Sequence, residues 1–187
     1  MVSQLESPSR NLPGRPGVWQ QSALPSIEGM VQVFTATQRG FFTNVMAQAL
    51  RIAGQGTPVL VVQFLKGGCN QGPQQPMRLS QRLDWVRLNA PRCIDGPELS
   101  EAEQAALVDL WQCTRREVLS GAYDLVVLDE LSLAIAYGLI PEDEVLELLE
   151  LRPRHIDVIL TGPDASRRLL DQADQITELR RGLRVTA

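Results

Sequence analysis

Two stretches of this 187-residue chain are apolar on both faces of the strand each would form. They are Thr57-Pro-Val-Leu-Val-Val-Gln-Phe-Leu65 and Tyr123-Asp-Leu-Val-Val-Leu-Asp129. A strand of that kind fits the interior of a parallel sheet covered by helices on both sides, not a sheet with one wet face. The segments between such runs have the helical period. In Asn44–Ala53 the side chains of Val45, Ala49 and Ile52 fall on one face, and Gly54 and Gly56 stop the pattern. Ser100-Glu-Ala-Glu103 is a capping box, in which the hydroxyl caps an orphan N–H and the glutamate reaches back. The helix it opens puts Ala106, Leu110, Trp111, Thr114 and Val118 inward and ends near Gly121. Pro141, at a first helical position, opens another helix with Glu142, Asp143 and Glu144 behind it.

Met30–Thr35, a short run at Leu83–Leu88, Ile156–Thr161 and Gln175–Leu179 supply the remaining strands. Alternation of this kind predicts an α/β fold with a parallel five- to six-stranded sheet flanked by helices. Gly67–Ser80, rich in Gly, Gln and Pro, is expected to be a loop. Residues 1–28 lack periodicity and read as an N-terminal arm carrying one tryptophan, Trp19, with 29–187 as a single α/β domain.

Charge and cysteine usage narrow the function. A net charge of −4 gives no basis for nucleic-acid binding, and no apolar run reaches the roughly 20 residues of a membrane span. The first residues lack the apolar core of a signal peptide, so the expected location is cytoplasmic. Cys69, Cys93 and Cys113 are scattered and odd in number, which argues against a disulfide framework or a zinc site. His155, the one histidine, falls between a helix and a strand and reads as a connecting-loop residue.

In open parallel sheets the ligand crevice lies beyond the carboxyl ends of the strands. The segment Thr35-Ala36-Thr37-Gln38-Arg39-Gly40-Phe41-Phe42-Thr43 falls at such an end, as do Gln63, Lys66, Asp129-Glu130 and Thr161-Gly162. These residues are expected to converge on one rim. The first segment sits where a strand would deliver a phosphate-binding loop, whose spacing is G-x-x-x-x-G-K-[ST]. With Gly40 as the second glycine, Phe41 stands at the lysine and Phe42 at the hydroxyl position. Leu125-Val-Val-Leu-Asp129-Glu130 has the form of a strand that delivers a metal-binding carboxylate, and makes Asp129 the candidate Mg²⁺ ligand. Asp129 and Glu130 are the candidate catalytic carboxylates. The alternative is that Asp129 hydrogen-bonds backbone amides of the neighbouring loop.

Several stretches together resemble the P-loop-type corrinoid adenosyltransferases. They are Gln32-Val-Phe-Thr35, Ala49-Leu-Arg-Ile-Ala-Gly54, Val61-Val-Gln-Phe-Leu-Lys-Gly67, Leu125-Val-Val-Leu-Asp-Glu-Leu131, Arg152-Pro-Arg-His155, Val158-Ile-Leu-Thr-Gly162 and Ala173-Asp-Gln-Ile-Thr-Glu178. The resemblance implies a P-loop NTPase fold of RecA-like type. It also implies ATP and Mg²⁺ as cofactors, a Co(I) corrinoid as acceptor of a 5′-deoxyadenosyl group, and a homodimer. The family's loop reads like T-G-[ND]-G-K-G-K-T-T, and here Thr35, Gly40 and Thr43 match it while Arg39 keeps the charge of the first lysine. Ala36, Thr37, Gln38, Phe41 and Phe42 depart, and the family's Lys-His-Pro-containing C-terminal block is missing after Glu178.

Charge-assisted contacts contribute roughly 1.5–3 kcal/mol each, so losing the lysine and the metal ligand weakens triphosphate binding by on the order of 10² to 10⁴. The first reading is therefore a degenerate, non-catalytic member with a binding or regulatory role, with ATP/Mg and a corrinoid as cofactors only if the family's activity is retained. The second is a divergent ATP:cob(I)alamin adenosyltransferase with Arg39, Thr43 and Asp129 or Glu130 in the working roles. The third is a protein-interaction module using the arm and the Phe41/Phe42 loop. Phe41 and Phe42 either fill the space of the missing phosphate or present a contact surface; the sequence leaves both open. If only the loop is lost, Phe41→Lys with Phe42→Thr restores phosphate affinity.

Overall fold

A computed structural model describes residues 28–40 and 42–180. The expectations for the arm with Trp19, for Phe41 and for the chain after Arg180 fall outside these residues. In chain order the elements are β1 (Val31–Ala36), α1 (Thr43–Gly54), β2 (Val59–Gln63), β3 (Met77–Leu79), β4 (Leu83–Arg87) and α2 (Glu101–Ser120). They continue with β5 (Leu125–Asp129), α3 (Leu131–Ala136), α4 (Glu142–Leu151), β6 (Asp157–Pro163), α5 (Arg167–Asp171) and β7 (Gln175–Leu179).

The strands form one sheet in the order β3-β4-β2-β5-β6-β1-β7. All neighbours are parallel except β3, which runs antiparallel to β4. The sheet therefore has seven strands where five or six were expected. The addition is β3, a three-residue edge strand inside the expected Gly67–Ser80 loop, too short to leave a periodic signal. Two short helices, α3 and α5, were likewise unread. Pro141 is the N-cap of α4, one place outside the helix, with extended backbone (φ −63°, ψ 125°).

The direction of travel across the sheet sorts the helices. From β1 to β2 the chain moves one way over β6 and β5, while β4 to β5, β5 to β6 and onward move the other way. Right-handed crossovers then put α1 on one face and the later helices on the other. The core divides accordingly. Val45, Met46, Ala49 and Ala53 of α1 pack with Val59, Val61, Leu125, Val127 and Ile159. On the other face Leu107, Leu110 and Trp111 of α2 and Val145, Leu148 and Leu149 of α4 pack with Leu60, Val62, Val126, Leu128 and Leu160. Alternate residues of β2 and β5 serve opposite cores, the arrangement that double-faced apolar runs demand.

The expected capping box on α2 forms in both directions: Ser100 Oγ accepts from Glu103 N, and Glu103 Oε2 accepts from Ser100 N at 2.9 Å. Gly121 ends α2 in the left-handed conformation (φ 73°). Among the described residues no helix is long and apolar enough to cross a membrane.

Candidate functional site

The carboxyl ends of β1, β2, β5 and β6 meet at one rim, and the residues there are tied together by two hydrogen-bonded systems. The first runs across the sheet. Trp85 Nε1 donates to Gln63 Oε1 at 3.0 Å, and Gln63 Nε2 donates to Asp129 Oδ2 at 2.8 Å. From the other side Thr161 Oγ1 donates to Asp129 Oδ1 at 2.7 Å and accepts from Glu130 N at 3.1 Å. Register makes this chain of contacts possible, since Gln63 is paired with Asp129 across β2 and β5. Both oxygens of Asp129 are thus engaged by side chains, which corrects the expectation of backbone amide partners. Burial pushes the Asp129 carboxyl above its ordinary pKa, and the hydrogen bonds from Thr161 and Gln63 only partly counter this.

The second system is ionic. Arg39 Nε and Nη2 donate to Glu130 Oε1 and Oε2 at 2.7 and 2.8 Å, a forked guanidinium–carboxylate pair. Lys66 Nζ donates to Glu130 Oε1 at 2.9 Å, and Arg39 Nη1 donates to the carbonyl oxygen of Ile94 at 2.7 Å. The Glu130 side chain is 1% exposed, against 28% for Arg39 and 22% for Lys66. Burial works to raise the Glu130 pKa, but the hydrogen bonds and charges of Arg39 and Lys66 outweigh it and hold the group below its ordinary value. The same contact raises the pKa of Arg39. Adjacent carboxylates at the end of one strand are therefore shifted in opposite directions.

Local backbone geometry aims these groups. Glu130 sits in the left-handed region (φ 59°, ψ 22°), which turns its side chain away from the path of β5. A side chain at Gly162 (φ 139°) would collide with Ser132 Oγ, so only glycine lets β6 pass this close to the start of α3. Lys66 is followed by Gly67, where a Cβ would run into the carbonyl oxygens of Arg92 and Ala90.

β1 extends to Ala36, so Thr35 and Ala36 are strand residues paired with Gly162 and Pro163, and the loop proper begins at Thr37. Thr37 and Gln38 are exposed, Gly40 is half-buried and Thr43 is the exposed first residue of α1. Phe42 is the N-cap of α1 and its ring is 2% exposed, in the same core cluster as Phe34, Val45, Met46 and Ala49. Of the two fates open to it from sequence, this ring fills the interior. His155 lies half-exposed between α4 and β6, with Asp124 4.0 Å away.

The rim thus gathers Gln63, Lys66, Asp129, Glu130, Thr161 and Arg39, as the strand ends predicted. Sequence reasoning did not find Trp85 or the Ile94 carbonyl. Trp85 belongs to the strand read at Leu83–Leu88, but the register pairs it with Val61 and pairs Gln63 with Arg87, so only the reach of the indole brings it to Gln63. The Ile94 carbonyl left no signal, because any residue type supplies one. No group of three or more His, Cys, Asp or Glu residues able to hold a metal occurs among the described residues.

Residues 27–183 match the family model described as ATP:corrinoid adenosyltransferase BtuR/CobO/CobP. The chain is 34% identical over 160 residues to the corrinoid adenosyltransferase CobA of Salmonella typhimurium, covering 81% of this chain and 76% of that protein. It is 32% identical over 160 residues to the corrinoid adenosyltransferase of Escherichia coli strain K12, with the same coverage. Against the corrinoid adenosyltransferase of Pseudomonas aeruginosa it is 27% identical over 161 residues, 81% of this chain and 74% of that one. With its seven-stranded, mostly parallel sheet and its rim built on the matched segments, the chain belongs to the ATP:corrinoid adenosyltransferase family.

Proposed function

We propose that this chain is a degenerate member of the family, with a P-loop NTPase-type fold but without ATP turnover, retained for binding or regulation. The observation that carries the reading is the position of Phe42. At the place of the loop hydroxyl that would ligate Mg²⁺, a ring is locked into the core beneath α1. Two further features agree with it. Asp129, the candidate metal carboxylate, has both oxygens committed to Gln63 and Thr161. Arg39 and Lys66, the cations nearest the loop, are committed to Glu130. Under this reading 1–28 is an arm and 29–187 one domain, the protein is a homodimer, and any other protein partner is reached through the arm and the loop around Phe41, since the Phe42 ring is buried.

A second reading, a divergent ATP:corrinoid adenosyltransferase, is favoured by one observation: Thr43 stands exposed at the first position of α1, one residue from the missing hydroxyl. In that case Thr43 and Asp129 would hold Mg²⁺, Arg39 would leave Glu130 for the phosphates, and the corrinoid would be the second substrate. Calorimetric titration with Mg·ATP separates the two. The first reading expects no binding below the millimolar range. Micromolar binding that is abolished by Asp129→Asn would overturn it in favour of the second.

A further inference from the structure

Glu130 receives, within the protein, the contacts that an anionic ligand receives from outside. Its two carboxylate oxygens lie in the fork of Arg39 at 2.7 and 2.8 Å, and one of them takes a further donor from Lys66 at 2.9 Å. A planar guanidinium across two oxygens with an ammonium on one of them is the pattern by which proteins grip carboxylate and phosphate groups. We propose that Glu130 is an internal counter-anion that masks a phosphate-chain site made by Arg39 and Lys66. The rim is thereby self-occupied, and the ligand class that competes with Glu130 is a small multivalent phosphate such as pyrophosphate or tripolyphosphate. This inference rests on the non-catalytic reading above and names the regulation of that same site.

Three observations support a masked site over a purely structural ion pair. Arg39 and Lys66 share one carboxylate as their direct partner: both donate to the buried Glu130, while Asp95, 3.9 Å from Arg39 Nη1, is exposed and screened by solvent, and Asp129, which also feels the Lys66 charge, is hydrogen-bonded by Gln63 and Thr161. The cations also remain reachable. Lys66 gives Glu130 one of its three N–H donors, and both cations keep between a fifth and a third of their side-chain surface in contact with water. Finally, Glu130 is held in the left-handed backbone region, with its N–H bound by Thr161 Oγ1. A non-glycine residue in that conformation is found chiefly where the surrounding structure imposes it, and such positions cluster at ligand sites and switches.

The test is calorimetric titration of metal-free sodium tripolyphosphate, at low ionic strength, into the full-length protein and two variants. Wild type is expected to bind weakly, in the millimolar range. Glu130→Gln, which keeps the shape and removes the competing charge, is expected to bind about tenfold more tightly or better, the order of effect of freeing one charge-assisted contact. The double variant Arg39→Gln/Glu130→Gln is expected to lose that gain. A Glu130→Gln protein with an unchanged circular dichroism spectrum and no tighter binding would overturn the proposal, as would a gain that survives in the double variant. Should Glu130→Gln fail to fold, the Arg39 Nε–H resonance of the wild type gives the answer. Tripolyphosphate at tens of millimolar is expected to shift it, and a resonance that stays fixed refutes the masking. Failure of the underlying reading is a separate result, namely Mg²⁺-dependent ATP binding by the wild type.

Discussion

Restoring the family's hydroxyl at position 42 is predicted to damage the fold instead of repairing the site. Phe42 is 2% exposed and shares a core cluster with Phe34, Val45, Met46 and Ala49. Removing a buried phenylalanine side chain costs about 3–5 kcal/mol, through lost transfer energy and the cavity left behind. Threonine recovers part of this. Position 42 is the N-cap of α1 and has no side-chain cap bond in the native protein, and a threonine hydroxyl at an N-cap contributes about 1 kcal/mol. The backbone there (φ −84°, ψ 73°) is not the extended conformation of a good N-cap, so that recovery is an upper figure. The net for Phe42→Thr is a loss of about 2–4 kcal/mol, or roughly 5–15 °C in Tm for a chain of this size. Urea and thermal unfolding followed by far-ultraviolet circular dichroism measure it directly. Phe42→Leu, which keeps most of the buried volume, is the control and is expected to lose less than about 1.5 kcal/mol. A Phe42→Thr protein as stable as wild type would show that the ring is not part of the core. Adding Phe41→Lys is expected to leave Mg·ATP affinity unrestored, since Asp129 and Arg39 remain engaged elsewhere.

Two further predictions concern the rim. Thr161→Val keeps the shape of the side chain but strips a donor from Asp129 Oδ1 and an acceptor from Glu130 N, both buried, and is expected to cost about 2–4 kcal/mol in urea unfolding; a change under 0.5 kcal/mol would remove the network from the account. Glu130 has a depressed pKa in the folded protein, so the stability it contributes is present above its unfolded value near 4.5 and is lost as pH falls through the folded value. The unfolding free-energy difference between wild type and Glu130→Gln should therefore shrink between pH 5 and the acid limit of the folded state, and a difference that stays constant with pH would contradict the ion-pair assignment.

Much of the fold was legible because the parallel strands declare themselves by apolar runs, and β1, β4, β5 and β6 also by the helical segment that follows each. β2, β5 and β7 fall where the sequence puts them, and the capping box at Ser100 opens α2. β3 was not legible, because Met77-Arg-Leu79 has too few residues to show a period and pairs only with β4 at the sheet edge. α3 was hidden for a different reason. It starts directly after β5, at Leu131, with no connecting loop, and its polar cap is replaced by the left-handed Glu130.

Which residues share the rim was legible and how they are wired was not, and the reason is physical. Sheet topology carries the carboxyl end of every parallel strand to one side, so the residues ending those strands must share a rim whatever they do there. Which of them bind one another depends on side-chain reach and on one or two backbone angles. Arg39 and Glu130 are 91 positions apart, and nothing in either local sequence says that the loop's cation turns back onto the carboxylate of β5. The φ of Glu130 decides it, because that residue turns out of the strand path while Asp129 stays within it. Two neighbouring acids thus acquire opposite fates. Asp129 is desolvated and held by neutral donors, and Glu130 is ionised and held by two cations. A working metal-assisted site needs the carboxylate at the strand end free to meet the ion and the loop's cation free to meet phosphate. In this chain the side chains at those positions have found partners within the protein: Asp129 holds Gln63 and Thr161, and Arg39 holds Glu130.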